Sequence, residues 1–519
     1  MPTKDLTRSA PPRRRAGRAW LLALVAAWPL ASALANDTLT ASPAGVGDAL
    51  GRAVALDGIR ALVGAPQQPG GTSQGPGFAV VFRDTGGVWV EEDRLAVAGA
   101  PNGNGVGLAV ALDGDTAAVG APGADAVHVF TRNGTSWSLQ QTLEPVDVVA
   151  FEEFGTAVDL AGDRLVVGRP GKGTVEVYER TGTTWNHTAG VEPDTGADFA
   201  AQFGCALRLD GDRLFVGAPG FDSLGYDSGA VYRFDLSGGV WQQQQLLEAS
   251  DGGTVTGLGS SVALAGAYLV AGSQMDTVYV WREVGGVFGD EQRLHPADPG
   301  SAGAQWGRRV AADGEWLAVG SENDGGAAQG AGAVFLFRRA KGGYHAQHEL
   351  RSDSPSFSDA FGAALALEGE RLLVGVPGED DAAVGAGAAE VVGLFPGAPW
   401  TDLGNGLPGA SLPALTPGGT LVAGAPTALT VEFGPPSSSA ALVIGLSAIS
   451  TPFLGGVMVP DTDLLVLGLP LDGDGALTLG AAWPVGVPAG LALWFQWWVT
   501  DPVAPFGLSA SNAARVETP

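Results

Sequence analysis

Most of the side chains in this sequence that could do chemistry are carboxylates. Asp and Glu number 55 against 28 Lys and Arg, with five histidines and one cysteine. The acids gather between apolar runs, at Glu152-Glu153, Asp222, Asp227, Asp324, Asp359 and Glu379-Asp380-Asp381. Nucleophilic catalysis would need a serine or cysteine beside a base. Gly71-Thr72-Ser73-Gln74-Gly75 has the spacing of a nucleophile elbow, but lies in a glycine-rich stretch without the strand and helix that turn requires. Tyr226-Asp227-Ser228-Gly229 sets an acid beside a serine with no histidine near it in sequence. Gly103-Asn104-Gly105-Val106-Gly107 precedes an apolar run of strand type, so it offers phosphate no helix N-terminus. The histidines (His128, His187, His295, His345, His348) show no metal-ligand spacing. No catalytic residue and no metal ligand is assigned. The chemistry expected of the acids is recognition on loops, with Asp222, Tyr226, Asp227, Asp324, Asp380 and Asp381 as binding candidates. The competing reading makes them a solubilising rim.

The apolar runs say what must hold those loops. Phe203–Pro219 contains two of them, Cys205–Leu209 and Leu214–Val216, joined across Asp210-Gly211, a strong hairpin signal. Its opening glycine recurs at Gly51, Gly107, Gly155, Gly204, Gly259, Gly307 and Gly362, each after a large apolar residue. A second glycine follows 13 residues later every time, at Gly64, Gly120, Gly168, Gly217, Gly272, Gly320 and Gly375. Proline stands two places beyond in five of the seven copies. A third apolar run and then an aromatic (Trp89, Trp137, Trp185, Trp241, Phe288, Tyr344) lead into a more polar run suited to an outer edge. Copies are 48 to 56 residues apart, the size of a four-stranded blade. The predicted fold is therefore all-β, seven four-stranded modules closing into a propeller.

Phe-Gly at the opening and Gly-Ala-Pro at the close resemble the FG-GAP repeat, the unit of the seven-bladed propeller of integrin α-subunits and of many bacterial surface proteins. The resemblance covers about Asp37 to Phe395. It implies a propeller whose loops bind, as in cell adhesion. Calcium-binding members carry an Asp-x-Asp-x-Asp-Gly loop between the first two strands. Here that connection is read as two residues: Asp57-Gly58, Asp113-Gly114, Gly162-Asp163, Asp210-Gly211, Gly266-Ala267, Asp313-Gly314 and Gly369-Glu370. Two residues cannot supply the six or more oxygens calcium takes, so no cofactor or metal is expected there.

Residues 1–35 read as a signal peptide. Arg13-Arg14-Arg15 and Arg18 form its basic part, Trp20–Trp28 its apolar part and Ala33-Leu34-Ala35 its cleavage site. A membrane anchor is the rival, disfavoured by the short apolar run. The expected location is extracellular or at the cell surface. The charge of −27 repels nucleic acid and anionic lipid. Cys205, being single, makes no internal disulfide and is read as a small buried hydrophobe.

Residues 36–397 are assigned to the propeller and 398–519 to a C-terminal domain. Asp37–Ser42 is predicted to complete the seventh blade, with the Trp400 region as the alternative. Beyond Trp400 charges thin out, and the runs read as a small antiparallel β-sandwich. Ala440–Val459 reads as two strands with a turn near Ser450–Pro452 rather than a membrane helix. Asp472-Gly473-Asp474-Gly475 reads as a hairpin turn. Trp494-Phe495-Gln496-Trp497-Trp498 reads as a buried central strand, against an aromatic platform for sugars. The expected function is non-enzymatic binding of an extracellular protein or polysaccharide through the rim loops. The alternatives are an extracellular hydrolase or lyase acting on polysaccharide or phospholipid, and a structural envelope component.

Overall fold

The computed structural model of the chain describes residues 37–67, 75–147, 152–194, 200–222, 224–251, 256–296, 305–340, 343–352 and 354–394. From residue 400 to 517 it describes the strands and some of their connections. Two compact units result, one over residues 35–393 and one containing residues 394–519. The predicted leader, residues 71–74 of the elbow-like motif and the Asp472–Gly475 turn lie outside the described residues.

In the first unit the repeat becomes seven four-stranded antiparallel sheets among the described residues. The fourth is Ala206–Asp210, Arg213–Ala218, Ala230–Ser237 and Val240–Leu247, paired in that order. The first strands pack side by side from Ala53–Asp57 through to Ala364–Glu368, which packs against Ala53–Asp57 again. The second strands are the most buried (Arg213–Ala218 is covered from Leu214 onward), and the fourth are the most exposed.

The two glycines of each repeat have separate duties. The opening glycine sits at φ between +87° and +98°, closed to most side chains. The second is where neighbouring sheets touch. A Cβ on Gly217 would lie 2.0 Å from the Gly259 carbonyl oxygen of the next sheet. Gly64 meets Gly107 in the same way, and the series runs on until Gly375 meets Gly51 and the ring closes. Gly217→Ala should therefore cost about 1–3 kcal/mol, because backbone cannot yield as a side chain can. A denaturant midpoint moved by less than about 0.5 kcal/mol would contradict this packing.

Four of the seven turns differ from the sequence reading by one residue, while Gly162-Asp163, Gly266-Ala267 and Gly369-Glu370 fall where it placed them. Asp210 pairs with Arg213, so the loop is Gly211-Asp212, and likewise Gly58-Ile59, Gly114-Asp115 and Gly314-Glu315. Glycine at positive φ in the first loop position is the type II′ pattern. The aspartate ends the strand, and in several sheets its carboxylate accepts a hydrogen bond from the turn glycine of the next: Gly114 N donates to Asp57 Oδ2 at 2.5 Å and Gly369 N to Asp313 Oδ2 at 2.7 Å. At the outer edge, glutamines join sheets too. Gln245 holds both backbone groups of Phe288 at 2.7 and 3.0 Å, and Gln292 those of Tyr344 at 2.7 and 2.8 Å.

The seventh sheet takes its fourth strand from the other end of the chain. Asp37–Leu39 pairs antiparallel with Ala388–Gly393, Leu39 opposite Ala389. The Trp400 strand pairs instead with Leu508–Glu517 in the second unit.

That unit has a five-stranded sheet, a three-stranded sheet and a two-stranded ribbon among the described residues. Leu442, Ile444, Phe495 and Trp497 of the larger sheet share a core with Leu415, Leu429, Val431 and Leu479 of the smaller. Trp498 packs on the opposite face with Val443 and Ala510, so the aromatic strand is covered on both sides. Two sequence readings are corrected here. Ala440–Val459 holds parts of three strands, with Ser450–Pro452 inside Ala448–Phe453. Leu464–Pro470 and Leu477–Ala482 lie in different sheets, so they form no hairpin.

Candidate functional site

The candidate site is the set of connections between second and third strands. Pro219–Gly229 departs from the fourth sheet and is braced from within. Asp227 N donates to Asp222 Oδ1 at 2.7 Å, and Ser228 Oγ to the Phe221 carbonyl at 2.9 Å. Asp227 adopts φ +49°, a left-handed conformation that aspartate tolerates better than most residues. Tyr226 is carried at the tip, 68% exposed. The corresponding loop of the seventh sheet repeats the brace, with Gly385 N donating to Asp380 Oδ1 and Asp381 N to Glu379 Oε1. In the sixth sheet Asp324 is buried, accepting from Gly326 N at 2.9 Å and from Arg351 Nη1 at 2.7 Å.

Each loop docks on the connection entering the next sheet: Gly257 N to the Asp227 carbonyl, Ser358 N to Gln329 and Gly47 N to Val384. The six candidates therefore fall on three sheets of one ring. Asp222, Asp324 and Asp380 shape loops. Tyr226 and Asp381 are exposed, and Asp227 is half-buried. Asp359 is 1% exposed and faces the charges of Asp380 and Asp381. Burial, and then those two charges, raise its carboxyl above the ordinary range, and burial raises Glu379 likewise.

A carboxyl whose folded pKa lies above its unfolded one binds its proton more tightly when folded, so stability is greatest below the unfolded value and is lost as pH rises through the folded one. Asp359→Asn should accordingly raise Tm at pH 7, and the gain should vanish by roughly pH 4. A variant less stable than wild type at pH 7 would show that the charge is compensated.

A second constellation escaped the sequence reading. Arg169 stands where Ala65, Ala121 and Ala218 stand in other copies, and is fully buried. Its Nη1 lies 2.6 Å from Asp147 Oδ1 and 3.1 Å from Glu176 Oε1, and its Nη2 pairs with buried Glu152. His187 Nε2 is 2.6 Å from Glu176 Oε2, and Lys172 Nζ is 2.7 Å from Asp147 Oδ2. Glu152 is thus an internal partner, not a free rim acid. The departure from alanine in register was the signal that could have found this cluster.

Other candidates are inert. Cys205 Sγ sits 3.7 Å from the Gly259 carbonyl oxygen, and burial pushes its thiol up to about 12. It is half-buried, not enclosed. His128 is buried on Thr142, which lowers its pKa. Among the described residues no group of three or more His, Cys, Asp or Glu is placed to hold a metal ion. Nor is any helix there long and apolar enough to cross a membrane.

A family model described as FG-GAP repeat matches residues 137–182 and 288–337. The chain carries FG-GAP repeats. Each match runs from the aromatic of one sheet's fourth strand through the first three strands of the next. Among curated proteins none matches the chain.

Proposed function

We propose that this FG-GAP chain is a secreted or cell-surface binding protein, without chemistry of its own, that recognises a protein or polysaccharide through the loop face of its propeller. In this reading residues 1–35 are a leader removed on export, 36–397 form a seven-bladed ring, and 398–519 attach or display it. The observation that carries it is Tyr226, a large aromatic held out in solvent by a loop whose own polar groups fix its shape. Rigid exposed tyrosines supply contact area at low entropic cost. Asp381 and Asp227 give the same face polar partners for a hydroxyl-rich or cationic ligand.

The enzymatic reading has one observation in its favour: Arg169, Glu152, Glu176 and His187 converge. They are satisfied by one another, with the guanidinium sealed from solvent, which suits a structural knot better than a reacting pocket. Screening the full chain and Tyr226→Ala on a glycan array and against extracellular proteins tests the proposal. Binding by the wild type, weakened roughly tenfold or more in the variant, is the expected result. Equal binding by both, or turnover of an arrayed glycan, would overturn it.

A further inference from the structure

The first strands surround the axis of the ring, and near one end of that axis this acidic chain collects arginine. Arg52 follows the opening glycine of the first sheet, and Arg308 and Arg309 follow that of the sixth. Arg52 Nη1 lies 3.7 Å from Glu322 Oε2 and Arg308 Nη1 3.3 Å from Glu322 Oε1, so the two meet on one carboxylate although the seventh sheet stands between their own. Arg308 Nη1 is held further by Gln305 Oε1 at 2.8 Å. Arg309 Nε donates to the Ala363 carbonyl of the seventh sheet at 3.2 Å. Charges close enough to act on Arg309 come from Arg52 in the first sheet and from Arg308 and Glu322 of its own, and the neutral Cys205 thiol beside the fourth sheet is near as well. Groups from the first, fourth and sixth sheets come together only toward the axis. Burial, followed by the Arg52 charge, pushes the Arg309 guanidinium down to about 10.

Two guanidiniums, those of Arg52 and Arg308, thus share Glu322, while Arg309 is held by the Ala363 carbonyl and has no carboxylate of its own among the described ion pairs. Arg52 and Arg308 are part-exposed, so the surplus of positive charge gathered here faces solvent and draws in an anion. Guanidinium forks match oxyanions in shape as well as in charge. Acidic loops elsewhere in the ring, with Asp380 and Asp381 exposed, oppose an approaching polyanion. We infer that the axial mouth formed by Arg52, Arg308 and Arg309 is a binding site for a single oxyanion, a carboxylate or phosphate group carried by an otherwise uncharged or cationic ligand. This site goes beyond the loop reading and stands whether or not Tyr226 binds anything.

Thermal unfolding of the full chain in sodium acetate or sodium phosphate, at ionic strength held constant with sodium chloride, tests it. A ligand of the folded state raises Tm with its concentration. Wild type should show a saturating rise with at least one anion, and Arg309→Gln should abolish it while unfolding cooperatively. Should Arg309→Gln not fold, Arg52→Gln should shift the half-saturating concentration upward by roughly tenfold, one lost charge-assisted contact. A response to acetate marks a carboxylate ligand, as on an acidic residue or sugar acid, and a response to phosphate alone marks a phosphoryl group. No rise beyond the sodium chloride control, or an equal rise in wild type and the folded variants, would overturn the inference.

Discussion

Arg169→Ala should destabilise the ring by about 3–5 kcal/mol, the cost of stripping a buried charge network of its cation. Glu152 and Glu176 are both nearly sealed from solvent, and their shared counter-charge is this one guanidinium. His187 on Glu176 can moderate the loss for that carboxylate, and Lys172 reaches only the exposed Asp147. Glu152 has no such substitute among the described ion pairs. Replacing the whole group is expected to behave differently from breaking it, because uncharged substitutes avoid the cost of burying unpaired ions. A triple variant, Arg169→Met with Glu152→Gln and Glu176→Gln, should recover most of the lost stability. Denaturant unfolding of the single and triple variants decides the matter. A single variant within about 0.5 kcal/mol of wild type would mean that water already reaches these carboxylates.

The contrast between Arg169 and the glycines shows what a linear reading of this chain can and cannot reach. Glycines at a fixed offset were legible because the constraint is on backbone: Gly217 has no room for a Cβ and Gly204 needs positive φ, so each leaves the same letter in every copy. The strands followed, as did closure by Asp37–Leu39. Side-chain contacts between sheets were not legible. Asp57 looked like half of an Asp-Gly turn because its real partner, the Gly114 N–H, lies 57 residues away. Asp222 and Asp324 looked like free ligands because Asp227 N and Arg351 are found only once the loop is folded. The arginines were hidden by the net charge, which averages over the surface and says nothing of what gathers at the axis. In the second unit, turn chemistry marked where a strand ends but not whether the chain doubles back or crosses to the other sheet, and Leu477–Ala482 crosses.

Closure rests on a short strand, and Leu39→Ala should cost about 2–5 kcal/mol, a large sum for one exchange at the chain's edge. Leu39 is buried in a core that joins two sheets, beside Leu373 and Ala389 of the seventh and Val63, Val80 and Phe82 of the first. Just beyond it, Ser42 N donates to Glu91 Oε2 at 2.8 Å and Arg94 Nη2 to the Pro43 carbonyl at 2.9 Å, fastening the same segment to the first sheet's outer strand. The segment is therefore bonded to the last sheet by its backbone and to the first by its side chains and flanks. Trp400 cannot take its place, since its strand is committed to Leu508–Glu517. Removing residues 36–42 altogether should leave Ala388–Gly393 as an open edge, prone to pairing with other molecules. Hydrogen exchange reads both effects where they arise. Amides of Leu372–Val376 should lose protection in Leu39→Ala, while those of Leu214–Ala218, on the far side of the ring, should keep more of theirs because each sheet packs chiefly on its neighbours. Unchanged protection at Leu372–Val376 would mean that the ring holds without its latch.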